Sequence, residues 1–400
     1  MKADIERLWV MANAPSRRIL GLMSGTSLDG LDLALCTVSG SGMHTRVVLD
    51  VFESLPYSDA FRDAVRRVFA RREIDQLALV LLHVHIAETH AAMVNDFLQR
   101  HGAPNVDVLA SHGQTVFHAP QNGHGLANQP NATLQLGDGD HLAVRTGLLT
   151  VSDFRQKHVA YGGEGAPLAL YGDVLLFSSP QEDRFLLNIG GIANFTFLQS
   201  IGADFPHATS RMPFAADTGP GNTLMDAAAR RYFDVPFDRD GLLAARGQVL
   251  PRFLADLLSE PYFDMPFPKT TGPERFSWAW VEGIIARLPK GHQNPYDIIT
   301  TLTELTAQSI DTAVRNVMRP DAPTALYLSG GGAYNPVLCR RLQALLPDVA
   351  QYRTDVLGIP ADAKEAVLFA VLANETLAGG TLPKVQGLPW MSMGKVSLPG

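Results

Sequence analysis

Asp217 stands directly before Thr218-Gly219-Pro220-Gly221-Asn222, where a short apolar strand is expected to end. A carboxylate held rigidly beside a glycine loop can take a proton from an oxygen attacking near a bound phosphate. Capping the helix expected over 223–232 is the competing role. Asn222 suits that role better, because Asp217 lies too far upstream.

Residues 22–35 (LMSGTSLDGLDLAL) carry the types that hold phosphate. A tight turn aims backbone N–H groups at an anion, and Gly25 and Gly30 let the chain turn without a Cβ clash. Ser24, Thr26 and Ser27 add hydroxyl donors, and Asp29 and Asp32 could hold Mg²⁺ directly or through water. The candidate phosphate loop is therefore Gly25, Thr26, Ser27, Leu28, Asp29, Gly30, Leu31 and Asp32, although an ordinary polar hairpin turn would use similar residues. Three further loops, NIGGIAN, DTGPGN and SGGGAYNP, favour ligand binding because each follows an expected apolar strand. Ligands in α/β folds collect at such strand ends. These loops add Gly190, Gly191, Gly219, Gly221, Gly330 and Gly331 as nucleotide-binding candidates. The motifs GxxxxGKS/T, GxGxxG and GxSxG are absent, which removes the usual sequence support for a P-loop enzyme, a Rossmann dehydrogenase or an α/β-hydrolase.

Four polar residues are candidate substrate contacts. Arg155, in VSDFR, could clamp an anionic group with its guanidinium fork, or pair with Asp153 or solvent. Glu365 falls early in the last expected helix, where acids also serve the helix dipole. His112 and Gln114, in SHGQT, follow an expected buried strand and could bond a sugar; a satisfied structural role is equally open to His112. His83, His85, Glu88 and His90 invite a metal reading. On a helix, however, His83 and His85 point about 200° apart, and His83 and His90 lie about 10 Å apart along the axis. No protein metal site is assigned.

The elements that must position these residues alternate between strands and helices. Strands are expected at 18–24, 31–39, 47–52, 106–110 and 148–152, with a long helix at 74–100 whose apolar residues include Leu77, Val80, Val84 and Ala87. FLLNIGGIANFTFL reads as two strands folded at Gly190–Gly191, followed by a strand at 214–217. Helices at 223–232, 294–318, 336–346 and 362–378 enclose a strand at 325–328. Each half opens with paired strands around a glycine turn, which predicts two α/β domains with a cleft between them. The loop 119–131 reads as an insertion.

The chain's 400 residues suit two domains. With 46% hydrophobic and 18% charged residues it has ample core material, and its net charge of −7 argues against nucleic-acid binding. Cys36 and Cys339 are expected as reduced, buried thiols. Asp4, Glu6 and Arg7 interrupt the apolar run a signal peptide needs, and no segment is expected to reach the ~20 apolar residues of a membrane span. These readings place the chain in the cytoplasm.

In order along the chain, LMSGTSLDGLD, SHGQTVFH, LQLGDGDHLA, VSDFR, GGEGAPL, LNIGGIAN, DTGPGN, LSGGGAYNP and PADAKEA resemble the blocks of the anhydro-N-acetylmuramic acid kinases of bacterial cell-wall recycling. The resemblance runs from residue 19 to the final helix. It implies two actin-like, ribonuclease H-like lobes, 18–155 plus 376–400 and 156–375, that close on ATP, with 1–17 as an N-terminal extension. It also implies ATP and Mg²⁺ as cofactors and 1,6-anhydro-N-acetylmuramate as substrate. Water would open the anhydro bridge and the freed 6-oxygen would take the γ-phosphoryl group. The matched blocks place the water-activating base on Asp217, phosphate binding on residues 25–32, and sugar contacts on Arg155 and Glu365. An arginine is also the natural partner for the lactyl carboxylate of muramate. The expected partners are small molecules, with no nucleic acid or membrane, and a homodimer stays open. Another actin-fold sugar or acid kinase, or a nucleotide-driven conformational protein of the chaperone type, is the alternative.

Overall fold

The computed structural model describes residues 2–200, 212–289, 293–380 and 391–400. The chain divides into two compact units, Met1–Leu176 with Gly358–Gly400, and Phe177–Leu357.

The first unit opens with α1 (Lys2–Asn13) and a meander of β1 (Ser16–Ser24), β2 (Gly30–Ser39) and β3 (Arg46–Pro56). Next come α2 (Asp59–Arg66), α3 (Gln76–Arg100), β4 (Val108–Ala119), α4 (Gln121–His124) and β5 (Ala132–Leu136). Then follow α5 (Gly139–Thr146), β6 (Leu149–Ser152), α6 (Arg155–Ala160) and α7 (Ala169–Phe177). The second unit holds β7 (Asp183–Ile189), β8 (Ile192–Leu198), β9 (Phe214–Pro220), α8 (Thr223–Phe233), α9 (Pro251–Leu258) and α10 (Trp278–Ile285). It continues with α11 (Pro295–Val317), β10 (Thr324–Ser329), α12 (Pro336–Leu345) and β11 (Ala350–Arg353). The chain then returns to the first unit as α13 (Lys364–Ala378) and β12 (Lys395–Ser397).

The two sheets share one plan. In the first unit β1–β2 and β2–β3 are antiparallel, while β4 joins β1 and β6 joins β4 in parallel. In the second, β7–β8 and β8–β9 are antiparallel, while β10 joins β7 and β11 joins β10 in parallel. The expected internal echo is therefore a duplicated strand order. β5 and β12 extend the first sheet to seven strands.

Local chemistry explains most boundaries. Asp75 caps α3 by accepting the Leu77 N–H, and Asn335 caps α12 by accepting from Val337 and Leu338. Pro295 and Pro336 occupy the first turns of α11 and α12, where a missing N–H costs little. In α3 the buried face is Leu82, Ile86, Ala87, His90, Ala91, Val94 and Phe97. Leu77 and Val80, expected to be inward, are exposed. The same helix corrects the expectation about membrane spans: Gln76–Arg100 is long enough, with a mean hydropathy of 1.5 over its most apolar stretch, to cross a membrane by length and composition. Its inner face instead packs on the sheet of its own unit. Cys36 is buried, but Cys339 is only half-buried, and both are free thiols.

Three expectations change. β4 runs from Val108 to Ala119, so His112 and Gln114 lie within a strand and not after one. β9 extends past its expected end at Asp217 to Pro220, so Thr218 and Gly219 are also strand residues. The boundaries expected at 155/156 and 375/376 lie at 176/177 and 357/358; part of the expected 376–400 segment falls outside the described residues. The reason is the seating of α13. A Cβ on Gly21 of β1 would fall 2.0 Å from the Ala366 carbonyl oxygen, and one on Gly172 of α7 would fall 2.5 Å from Leu368 Cδ1. Both α7 and α13 therefore pack into the first unit at near-contact distances. The segment expected as an extension is also built in: Arg17, 2% exposed, donates to the Met11 and Ala12 carbonyls and to Asn374 Oδ1 of α13.

Gly21→Ala should force α13 away from β1 and lower stability by about 1–3 kcal/mol, the range for overpacked cores. Urea unfolding of the full chain measures this, and an unchanged midpoint would show that the helix is not seated on Gly21.

Candidate active site

In the first unit the loop after β1 is tied down by a buried polar chain. Tyr57 donates its hydroxyl to Ser24 Oγ (2.7 Å), and Ser24 donates to Gln114 Oε1 (2.5 Å). Gln114 Nε2 then donates to the carbonyls of Gly25 (3.3 Å) and Thr115 (3.2 Å). At the other end His90 Nε2 lies 2.8 Å from the Tyr57 oxygen. Since the tyrosine proton is used on Ser24, His90 must donate here. Gln114 thus spends its amide on the loop, not on a free ligand contact. In the turn itself the left-handed residue is Leu28 (φ 60°), buried beneath the loop, and neither Gly25 nor Gly30 has positive φ. Gly30 does avoid a Cβ clash, since a Cβ there would lie 2.3 Å from the Leu55 carbonyl oxygen. Gly25 faces open space apart from Ser27 Oγ at 3.6 Å. Thr26, Ser27 and Asp29 are exposed, and the N–H groups of Thr26 and Ser27 have no backbone partner among the described residues. Such a loop can present donors to an anion.

Around it lie the acids. Burial raises the pKa of half-buried Asp32, with the charges of Asp362 and Asp29 adding and a Ser54 hydroxyl bond opposing. Glu365, at the start of α13, is still open to solvent, yet surrounding protein raises its pKa, and Asp32 adds to the effect while Arg155 and Lys364 oppose it. Arg155 does not pair with Asp153, which binds Lys395 instead. Arg155 Nε donates to His112 Nε2 (2.9 Å) and Nη1 donates to the Gly165 carbonyl (3.1 Å). His112 Nδ1 lies 2.8 Å from the Gly113 carbonyl oxygen. With an arginine donating to one nitrogen and a carbonyl facing the other, the ring is fixed as the neutral Nδ1–H tautomer. His112 therefore orients Arg155. Gly113 sits at φ 72°, beside a register shift between β1 and β4, so its neighbours His112 and Gln114 serve different partners.

In the second unit the other three glycine loops converge. The carbonyls of Gly190 and Gly191 accept the N–H groups of Gly221, Asn222 and Thr223. Asn222 does not cap α8 through its side chain; its Nδ2 donates to the Ile189 carbonyl (2.9 Å). A Cβ on Gly221 would lie 2.3 Å from the Gly190 carbonyl oxygen, and one on Gly330 would lie 2.6 Å from Asn188 Oδ1. Gly331 approaches Asn222 Nδ2 at 3.5 Å by the same measure. Glycine is used here because three backbones meet at van der Waals distance. Beside them, half-buried Asp217 accepts the Thr271 N–H on Oδ2 (2.8 Å). Burial raises its pKa and the Thr271 bond lowers it. Tyr262 and Lys269, which also grip Asp217, were missed in the sequence, although the block Pro268-Lys269-Thr270-Thr271-Gly272 has the polar, glycine-bearing look of the other loops.

No group of three or more His, Cys, Asp or Glu arranged to hold a metal occurs among the described residues. His83, Glu88 and His90 each have separate partners: Gly137, His141 and Tyr57. Asp29 and Asp32, hard oxygen donors beside an open loop, fit an ion that takes most of its ligands from phosphate and water.

A duplicated sheet with glycine turns at its strand ends is the architecture of the actin-like phosphotransferases, a class that includes sugar kinases. Residues 17–395 match the family model for anhydro-N-acetylmuramic acid kinase. The anhydro-N-acetylmuramic acid kinase of Pseudoalteromonas atlantica is 45% identical over 406 residues, covering 100% of both chains. That of Caldanaerobacter subterraneus is 36% identical, covering 98% of this chain and all of its own. Among solved structures, the hexokinase from Schistosoma mansoni aligns at 11% identity over 89% of this chain and 85% of its own, with a TM-score of 0.32, too loose to add to the argument. The chain belongs to the anhydro-N-acetylmuramic acid kinase family, and it is an ATP-using kinase by that membership.

Burial holds His90 and His112 neutral, each with its pKa lowered from 6.5 to about 3; Arg155 adds to the effect at His112. The unfolded chain takes up these protons below pH 6.5 and the folded chain does not, so each histidine makes stability fall as pH falls. Replacing His90 with glutamine should flatten the loss of stability between pH 7 and 5, by up to about 1.4 kcal/mol per pH unit. Urea midpoints across that range test this; equal slopes in both proteins would contradict it.

Proposed function

We propose that the chain converts 1,6-anhydro-N-acetylmuramate, ATP and water to N-acetylmuramate 6-phosphate and ADP in peptidoglycan recycling, with Asp217 as the base that activates water. The observation that carries this reading is the setting of Asp217. One carboxylate oxygen is fixed by Thr271, the group is half-buried beside converging glycine loops, and its pKa is raised, which strengthens it as a base.

Asp217 accepts a proton as water attacks the anomeric carbon. The bond from that carbon to the bridging 6-oxygen breaks, and its electron pair stays on the oxygen. The oxygen then attacks the γ-phosphorus of ATP and ADP departs. The Thr26 and Ser27 N–H groups are the open backbone donors for phosphate, and the loops at Gly190–Gly191, Gly219–Gly221 and Gly330–Gly331 are the second unit's own candidate nucleotide contacts. Asp29 and Asp32 are the residues to hold Mg²⁺, whose bound form neutralises phosphate charge. Arg155, oriented by His112, takes the lactyl carboxylate, and Glu365 bonds the sugar.

Asp217→Asn should leave ATP binding nearly intact and lower turnover by about 10²–10⁴-fold, the usual worth of a positioned base. ADP release with and without the anhydro sugar measures it, and an unchanged rate would remove Asp217 from the mechanism. In water enriched with oxygen-18, mass spectrometry should find the label at the anomeric hydroxyl. Label in the phosphate would contradict the hydrolytic opening.

A further inference from the structure

Asp217 is held at more points than a strand residue needs, and one short segment supplies all of the extra ones. The Asp217 N–H donates to the Lys269 carbonyl (2.9 Å). The Tyr262 hydroxyl donates to the Asp217 carbonyl (2.8 Å). The Thr271 N–H donates to Asp217 Oδ2 (2.8 Å). The segment closes on itself through Lys269, whose Nζ donates to the carbonyls of Tyr262 (2.9 Å) and Phe263 (3.0 Å).

A lysine in this setting is unusual. Lys269 is only 5% exposed, and its ammonium lies 4.5 Å from the centre of the Tyr262 ring and 4.7 Å from that of Phe267. Its three N–H donors are met by two carbonyls and the faces of two rings, and among the described residues the opposing charge of Asp264 acts on it without an ion pair. A buried lysine is normally excluded by its desolvation cost unless it is well bonded. Here its bonds join the two ends of the segment that carry Tyr262 and Thr271. Pulling them together sets the direction of the Asp217 carboxylate: Oδ2 is bound, and Oδ1, without a hydrogen-bond partner among the described residues, is the oxygen for the proton.

We propose that Lys269 is a positioning residue for the reaction, acting through a Tyr262–Lys269–Thr271 clasp that aims Oδ1 of Asp217. The proposal rests on the reading of Asp217 as the base. The clasp also bears on the pH profile. The Thr271 bond lowers the pKa of Asp217, so loosening it moves the acid limb of kcat/KM to higher pH. The titratable groups facing Asp217 are Tyr262, whose own pKa is raised by burial and by the Asp217 charge, and Lys269. Asp264 and Arg275 act on these two groups. On β8 and α11 the neighbouring Asn194, Thr306 and Ser309 are uncharged.

The test compares Lys269→Met, Tyr262→Phe and Asp217→Asn in the full chain, with ATP, Mg²⁺ and the anhydro sugar. Lys269→Met keeps the volume and removes the two carbonyl bonds. Its kcat should fall at least tenfold while KM for ATP and for sugar changes less than about threefold, and its acid limb should move to higher pH. Tyr262→Phe removes one hydroxyl and should move both quantities the same way by a smaller amount. A folded Lys269→Met with wild-type kcat, or with reduced kcat and an unmoved acid limb, would overturn the proposal. Should Lys269→Met fail to fold, wild-type kinetics in Tyr262→Phe would overturn it instead. An inactive Asp217→Asn alongside wild-type clasp variants defeats the clasp alone, whereas a fully active Asp217→Asn defeats the reading beneath it.

Discussion

A Cβ at residue 21 would sit 2.0 Å from the carbonyl oxygen of Ala366, and that approach of α13 to β1 organises the first unit. It brings the C-terminal part of the chain onto the N-terminal sheet. With it come Glu365, which shares its electrostatic field with Asp32 and Arg155, and Asn374 and Glu375, which reach the first strands. Glu375 accepts the Gly42 N–H and the Thr45 hydroxyl, and Asn374 accepts from the buried Arg17. These are charge-assisted bonds in a buried setting, where leaving one partner unmet would be expensive. That packing is what sets Glu365 in the field of Asp32 and Arg155, which are far from it in sequence.

The two units use one strand order but fix their candidate site residues by different physics. In the first, side chains carry the load. The chain from His90 through Tyr57 and Ser24 to Gln114 holds the loop, and His112 holds Arg155. Both histidines work only as neutral rings, which burial ensures. In the second, backbone carries it. The Gly190–Gly191 carbonyls receive the start of α8, and glycine allows the loops to meet at contact distance. A side-chain network can be retuned by single substitutions, whereas the junction admits almost none at Gly221 and Gly330, where a Cβ would strike the Gly190 or Ile189 carbonyl oxygen.

Much of the fold was legible. The β1–β2 and β7–β8 hairpins, the glycine loops at strand ends, the helix starts at Pro295 and Pro336 and the duplicated pattern all follow from local chemistry. Misreadings came where local pattern and tertiary demand diverge. SHGQT looked like a loop because it is polar, but its side chains bond within the unit, so the strand continues. Leu77 and Val80 matched a helical stripe, yet the sheet reaches only the later turns of α3. Gly25 and Gly30 drew attention as the residues that avoid a Cβ clash, but nothing local marked Leu28 as the turn's left-handed residue, its side chain anchored below the loop.

By itself the sequence determined which residue types stand at strand ends, that Asp217 adjoins a glycine loop, and that Arg155, Glu365, Asp29 and Asp32 are available for anions, sugar and metal. Those are properties of spacing, and spacing survives without coordinates. Only the tertiary structure decided what each does with its bonds. It assigned Gln114 to the loop at 25–32, His112 to Arg155, α13 to the first unit, and a buried lysine to the segment around Asp217. The reason is that a hydrogen bond or an excluded Cβ depends on distances between segments remote in the chain, which no local pattern encodes.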